Sequence, residues 1–113
     1  MSIIVLRLLA RHLLAYQIVS KVEFLGTKVR AHIIQGYMLD IYYNQTTQKY
    51  SYTVFKKGRR VLGWDNAKHH TELETYPHHY HSPSGEIVNS QLRGMPINDL
   101  KIVMDVIAQE LKL

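Results

Sequence analysis

The sequence predicts an α+β fold with one helix at each end of the chain and an antiparallel sheet between them. Three observations support this prediction. Apolar residues recur at helical spacing near both termini, β-branched and aromatic residues fill the segment between them, and short polar links divide that segment. We therefore expect a meander sheet of four to five strands, two flanking helices and a histidine-rich loop. Because 113 residues is a usual size for one domain, residues 1–113 are assigned to a single domain.

The N-terminal helix is predicted over residues 2–15, with Ser2 as its N-cap. Val5, Leu9 and Leu13 share one face of this helix. Its other sides are also largely apolar, which is typical of a helix that is covered on both faces, for example by a partner chain. A homodimer is compatible with this pattern.

The C-terminal helix is predicted over residues 97–113, where the apolar spacing is again helical. Asn98 or Asp99 is expected to cap its first turn. Its apolar stripe consists of Leu100, Val103, Ile107 and Leu111.

The strands are predicted between residues 16 and 64, in five segments with alternating side chains. These segments are residues 16–25, 28–35, 37–43, 49–55 and 59–64. The links at 44–48 and 56–58 have the length of hairpin turns, so consecutive strands are expected to pair antiparallel.

The stretch from Asp65 to Pro96 differs from the rest of the chain. It is polar, contains all three prolines and has weak periodicity. We expect an extended loop over the sheet, with a short strand near residues 77–81. A loop of this length in a small domain is typically functional or disordered.

The composition limits the chemistry and suggests a polyanionic partner. Fourteen Lys and Arg residues against nine acids give a formal charge of +5, and such a surface favours nucleic acid, anionic membranes or acidic proteins. The chain has no cysteine, which excludes disulfides, thiolate zinc sites and a cysteine nucleophile. Arg7, Arg11 and His12 interrupt the apolar N-terminal run, so it predicts neither a signal peptide nor a membrane span. We expect a cytoplasmic protein.

The candidate catalytic residues are clustered between Trp64 and His81, where five of the seven histidines lie. Histidine exchanges protons near neutral pH. Cleavage of RNA through its own 2′-hydroxyl needs a base, an acid and a positive charge near the phosphate, and two histidines with a Lys or Arg supply these without a metal or other cofactor. The predicted catalytic set is Asp65, His69, His70, His78, His79 and His81.

Two other interpretations of this segment stay open. His79 and His81 have the spacing of a chelating pair on a strand, and Asp65, His69 or His70 would complete a site for zinc, nickel or manganese. Alternatively, the histidines only hydrogen-bond to the loop backbone or face water. Asp65 and Asn66 are expected to form a turn through their side chains, and Trp64 is expected in the core.

The candidate nucleic-acid contacts lie in a basic turn and at one tyrosine. Lys56, Lys57, Arg59 and Arg60 surround one glycine at a predicted hairpin tip, which suits phosphate binding but is also typical of a solvated turn. Tyr80, between two histidines, is a candidate for stacking on an unpaired base.

The segment from Trp64 to His81 resembles the TumE toxin family of type II toxin–antitoxin systems. Trp64-Asp65-Asn66-Ala67 and the histidine pairs after it match a family segment of the form WDNAPHH…TFPHHKH. Lys68, Tyr76 and Tyr80 replace a proline, a phenylalanine and a lysine of that segment. The lost lysine argues against a mechanism that needs a cation at position 80.

This resemblance implies a toxin encoded beside an antitoxin that carries a helix-turn-helix, and it suggests nucleic-acid cleavage. The sequence therefore favours a metal-independent ribonuclease toxin that acts on RNA. The alternative is a non-enzymatic basic module that binds nucleic acid or a partner protein.

Overall fold

A computed structural model describes residues 2–113, with side chains from residue 3 onward. In this range the chain forms two α-helices, seven β-strands and one short 3-10 turn. The helices are α1 (Ser2–Leu13) and α2 (Pro96–Glu110). The strands are β1 (Val19–Phe24), β2 (Lys28–Ile33), β3 (Tyr37–Asn44), β4 (Lys49–Lys56), β5 (Arg59–Asp65), β6 (His79–His81) and β7 (Ile87–Asn89).

The strands form one sheet in chain order, and each strand pairs antiparallel with the next. This confirms the α+β class, the meander and the two terminal helices. The predicted strand number was too low, because over residues 2–113 the sheet has seven strands. The added strands β6 and β7 are three residues each. Strand β6 corresponds to the short strand predicted near residues 77–81, whereas β7 lies in the part of that segment that was predicted as a loop, where alternation is too short to detect.

The core lies between the helices and one face of the sheet. Leu6, Leu9 and Leu13 of α1 are buried against strand residues such as Leu39 and Ile41. The other side of α1 is apolar but exposed. It carries Ile3, Ile4 and Leu8, which are 44–59% exposed, so the described chain covers one face of this helix and not both.

The start of α2 differs from the prediction. The helix begins at Pro96, with Met95 at the N-cap position and no capping side-chain bond there. Asp99 lies within the first turn and is buried. Its carboxylate accepts the backbone N–H groups of Arg93, Gly94 and Met95 at 3.1, 2.8 and 3.1 Å. A carboxylate near a helix N-terminus is favourable, so Asp99 fixes the entering loop rather than capping the helix from outside.

The predicted N-cap side chain, that of Ser2, lies outside the described residues. Neither α1 nor α2 is, in the part of the chain that is described, long and apolar enough to cross a membrane.

Candidate active site

The histidine segment meets the sheet on the face that points away from the helices. In the ladder between β5 and β6, Gly63 lies opposite His81 and Asp65 opposite His79. Successive strand side chains alternate between faces. Asp65, His79 and His81 therefore share the outer face, while the intervening Trp64 turns to the core.

The Asp65 carboxylate joins the two strand histidines. Its Oδ1 lies 3.1 Å from His79 Nε2, and its Oδ2 lies 3.2 Å from His81 Nε2. Oδ1 also accepts the backbone N–H of Ala67 at 2.9 Å, which is the predicted turn. The turn and the imidazole contacts hold this carboxylate in one orientation.

His79 is the buried member of this group, with 3% of its side chain exposed. Its Nδ1 lies 3.1 Å from the carbonyl oxygen of Pro77. A carbonyl only accepts, so His79 Nδ1 carries a hydrogen and donates it. Both ring nitrogens of His79 thus face oxygen atoms of the protein, and the ring is fixed in place.

His81 is more open, with 14% of its side chain exposed. Burial, followed by the positive charge of Arg60, lowers the pKa of His81 from its ordinary value of 6.5, and the contact with Asp65 only partly opposes this. A lowered pKa keeps the ring neutral near pH 7. When Nε2–H donates to Asp65, the Nδ1 lone pair of His81 is left to accept a proton.

These groups line an open cleft of about 410 Å³. The cleft is bounded by Tyr42, Lys49, Tyr50, Ser51, Arg60, Asp65, Asn66, Ala67, His69, His70, His79 and His81. The rings of His70 and His79 meet edge to face, with centroids 4.7 Å apart. The structure therefore brings His69, His70, His79, His81 and Asp65 together beside two cations.

Arg60 reaches this cleft because of a β-bulge. Val54 lies opposite Leu62, but Phe55 lies opposite Arg60, so one extra residue interrupts β5. A bulge re-aims the side chains before it. Without it, Arg60 would share the core face with Leu62. Glycine is required at position 63 for a different reason: a Cβ there would lie 2.8 Å from the backbone carbonyl oxygen of Tyr52 on β4.

His78 lies apart from the other predicted catalytic residues. Its Nδ1 is 2.7 Å from the Tyr50 hydroxyl, and the two rings stack with centroids 5.8 Å apart. Burial lowers the pKa of His78 below 6.5. The residue lines a second cleft of about 760 Å³, which shares His69 and Lys49 with the first and adds Lys68 and Arg93.

The basic residues predicted to contact nucleic acid do not all lie in the same place in the structure. Arg60 lines the histidine cleft, whereas Lys57 and Arg59 are exposed at the hairpin tip. Lys56 places its Nζ 4.5 Å from the centre of the Tyr37 ring.

Tyr80 is on the face opposite to the cleft. Its ring packs against Trp64 with centroids 4.9 Å apart, and its buried hydroxyl has no hydrogen-bond partner among the described residues. Strand alternation thus gives Tyr80 a packing role, and Tyr80 is not among the residues that line the histidine cleft. Trp64 is 3% exposed, which confirms its predicted place in the core.

Sequence reasoning missed Lys49, Tyr42 and Ser51 as cleft residues. Ser51 lies opposite Asp65 on β4, and Tyr42 lies opposite Ser51 on β3. The hairpin register would have revealed this row, because side chains directly opposite one another share a face. Asn66 ties the end of β5 to the backbone at the start of β4. Its side chain accepts the Tyr50 N–H at 3.0 Å and donates to the Gln48 carbonyl at 2.8 Å.

Asp65, His79 and His81 are also the residues that could hold a metal ion. One ligand atom from each lies within 4.8 Å of the others. The site thus has the donors for acid–base chemistry and for metal binding.

A family model described as Toxin TumE matches residues 5–111 of the chain. Comparison with curated proteins and with solved structures gives no significant match. The match extends well beyond the segment from residue 64 to 81 that carried the resemblance in sequence.

Proposed function

The chain belongs to the TumE toxin family, and on this premise we propose that it is a toxin that cleaves RNA with imidazole groups and without a metal ion. Membership implies the toxin component of a toxin–antitoxin system, with an antitoxin as partner. One observation supports the ribonuclease activity above the others. The Asp65 carboxylate binds two imidazoles, at 3.1 and 3.2 Å, in a cleft that also contains Arg60 and Lys49.

His81 is the proposed base. Its Nδ1 takes the proton from the 2′-hydroxyl, and the resulting 2′-oxygen attacks the adjacent phosphorus. A base must be unprotonated at working pH, and the lowered pKa of His81 meets this requirement. Asp65 holds the ring through Nε2, so the reactive nitrogen is the one left free.

His70 is the proposed acid. It donates a proton to the 5′-oxygen as the bond from that oxygen to phosphorus breaks, which leaves a 2′,3′-cyclic phosphate and a 5′-hydroxyl. His70 lines the cleft with 27% of its side chain exposed, in contrast to 3% for His79. Because His79 uses both nitrogens on protein oxygens, we assign it and Asp65 as positioning residues.

Arg60 and Lys49 are the proposed phosphate contacts. Both line the cleft, and cations near the phosphate stabilise the charge that develops on its oxygens in the transition state. His69 lines both clefts. We propose that it contacts the RNA strand where the strand passes from the first cleft into the second. Tyr42 replaces Tyr80 as the candidate for stacking on an unpaired base, since it lies on the cleft side.

The remaining sequence predictions about partners stay proposals. We propose that the antitoxin carries a helix-turn-helix and that the toxin acts on RNA in the cytoplasm. The exposed apolar side of α1 is compatible with a homodimer or with antitoxin contact.

The test is incubation of purified protein with single-stranded RNA in EDTA. We expect cleavage to a 2′,3′-cyclic phosphate with a bell-shaped pH profile, and no cleavage of DNA of the same sequence, which lacks the 2′-hydroxyl. His70→Ala and His81→Ala should each lower the rate by about 100-fold or more. His12→Ala is the matched control, because it removes an exposed imidazole of α1.

Two results would contradict the proposal. Binding of RNA without cleavage would support the alternative, a non-enzymatic basic module. Growth arrest that persists in a folded His79→Ala, His81→Ala double variant would show that toxicity does not depend on these imidazoles.

A further inference from the structure

We propose that Asp65, His79 and His81 bind one divalent transition-metal ion of the zinc class, and that the bound ion prevents RNA cleavage. The proposed metal site is inferred only from the positions of its ligand atoms. The inhibition rests on the proposed function, because it requires His81 to act as the base. The site thus has two alternative states, a metal-free active state and a metal-bound inactive state.

The spacing of the donor atoms fits a zinc ion. Nitrogen and oxygen ligands lie about 2.0–2.2 Å from zinc, which places neighbouring ligands of a tetrahedral site roughly 3.3–3.6 Å apart. The contacts from Asp65 to His79 and His81 are 3.1 and 3.2 Å, and the three ligand atoms lie within 4.8 Å of one another. Small side-chain rotations would therefore complete the coordination.

The hydrogen bonds around the three residues prepare them for a metal. His79 donates its Nδ1–H to the Pro77 carbonyl, which directs the other nitrogen, Nε2, toward Asp65. His79 Nε2 and Asp65 Oδ1 lie 3.1 Å apart, and either a proton on Nε2 or a metal ion can bridge them. The metal ion would take the place of the proton that otherwise joins the two groups. Metal-binding histidines typically donate their second ring N–H to a carbonyl or carboxylate in this way.

The scaffold and the donor types narrow the choice of ion. His79 and His81 project from the same face of β6, and Asp65 projects beside them from β5. Two imidazoles and one carboxylate suit zinc, nickel or copper, whereas magnesium and calcium prefer oxygen ligands. Three protein ligands leave a further coordination position open to the cleft.

Metal binding and catalysis would compete for the same nitrogen atoms. A metal on His81 Nε2 requires that nitrogen to be deprotonated, so the remaining ring hydrogen moves to Nδ1. The proposed base then has no lone pair with which to accept the proton of the 2′-hydroxyl. Occupancy of the site should therefore stop cleavage without displacing RNA from Arg60 and Lys49.

The experiment first measures zinc binding without RNA, by competition with a coloured zinc indicator. We expect one ion per chain for the wild type and for His12→Ala. Asp65→Asn and His81→Ala should each weaken binding at least about tenfold, with circular dichroism as the control for folding. A second measurement needs no variant: zinc should shift the imidazole ¹⁵N signals of His79 and His81, and leave those of His12 and His32 unchanged.

The second half measures RNA cleavage by metal-free and zinc-loaded wild-type protein. Cleavage in EDTA that stops when one equivalent of zinc is bound supports the inference. Absence of zinc binding, or equal binding in Asp65→Asn and His81→Ala, would overturn the metal site even if RNA is cleaved. Cleavage unchanged or accelerated by zinc would overturn the inhibition. Specific zinc binding by a protein that never cleaves RNA would instead refute the proposed function and leave the site standing.

Discussion

Two carboxylates on the outer face of the sheet, Asp40 and Asp65, have partners of different chemistry. Asp40 on β3 binds Arg30 through two hydrogen bonds of 2.8 and 3.0 Å, and Lys28 at 3.0 Å. Asp65 on β5 binds His79 and His81. Both groups consist of a carboxylate and two nitrogen partners from neighbouring strand positions.

The partners determine what each carboxylate can do. Arginine and lysine keep their protons at neutral pH, so Asp40 is held in a permanent ion network that supports the sheet. Imidazoles gain and lose protons in that range, and those around Asp65 line a cleft. The same geometry therefore stabilises the fold at Asp40 and orients exchangeable protons at Asp65.

The largest expected effect is on activity, from the substitution Asp65→Asn. An amide no longer fixes the tautomer of His81, although it still accepts the Ala67 N–H and keeps the turn. We expect the rate of RNA cleavage in EDTA to fall by about 100-fold or more. The matched variant Asp40→Asn should retain the wild-type rate. Equal losses of rate in both variants would show that the contrast between these carboxylates is not functional.

The next largest effect is on stability, and here substitution of Asp40 should cost more than substitution of Asp65. Asp40→Asn leaves Arg30 and Lys28 without a charged partner. We expect a loss of about 1–2 kcal/mol in the free energy of unfolding, since these hydrogen bonds involve charged groups that are partly exposed. Urea unfolding monitored by circular dichroism measures it. A variant as stable as the wild type would mean that this ion network adds nothing to the sheet.

The sequence alone predicted those features of the two carboxylates that depend on residues close together in the chain. Alternation in the strand predicted over residues 37–43 puts Leu39 and Ile41 on one face, and both are buried in the core, which turns Asp40 outward. The side chain of Asp65 was correctly predicted to form a turn, because that contact spans only two residues. The family was also predicted correctly, from the segment between Trp64 and His81 alone, and the matched region covers residues 5–111.

The rest of the site depends on features that leave no local signal. A short strand near residues 77–81 was expected, but three residues do not show which strand they pair with, so the register that places Asp65 opposite His79 was not predicted. Arg60 reaches the cleft through a bulge, which reverses the face that alternation assigns to it. Lys49 belongs to the site only through strand register. These are tertiary effects, set by which strands pair and where the ladder slips.

A smaller effect tests the consequence of that bulge. Arg60→Ala should lower kcat/KM for RNA by about fivefold, as expected for one exposed cation at the edge of the cleft. Arg59→Ala removes the neighbouring cation at the hairpin tip, outside the cleft, and should change kcat/KM much less. Steady-state kinetics at fixed ionic strength separates the two. If Arg59→Ala has the larger effect, RNA binds along the tip of the hairpin and not across the histidine cleft.

The smallest effect concerns the dependence of stability on pH. Burial works to raise the pKa of Asp40, but hydrogen bonds from Arg30 and Lys28 outweigh it, so the pKa lies below its ordinary value of 3.8. A carboxyl whose pKa is lower in the folded state contributes stability above the unfolded value, and that contribution disappears as the pH falls through the folded pKa. The difference in unfolding free energy between wild type and Asp40→Asn should thus be constant near neutral pH and shrink below about pH 4. Urea titrations of both proteins at several pH values measure this difference. A difference that instead shrinks near pH 6 would show that a histidine carries the stabilising charge. The contrast between the permanently charged partners of Asp40 and the imidazole partners of Asp65 would then be wrong.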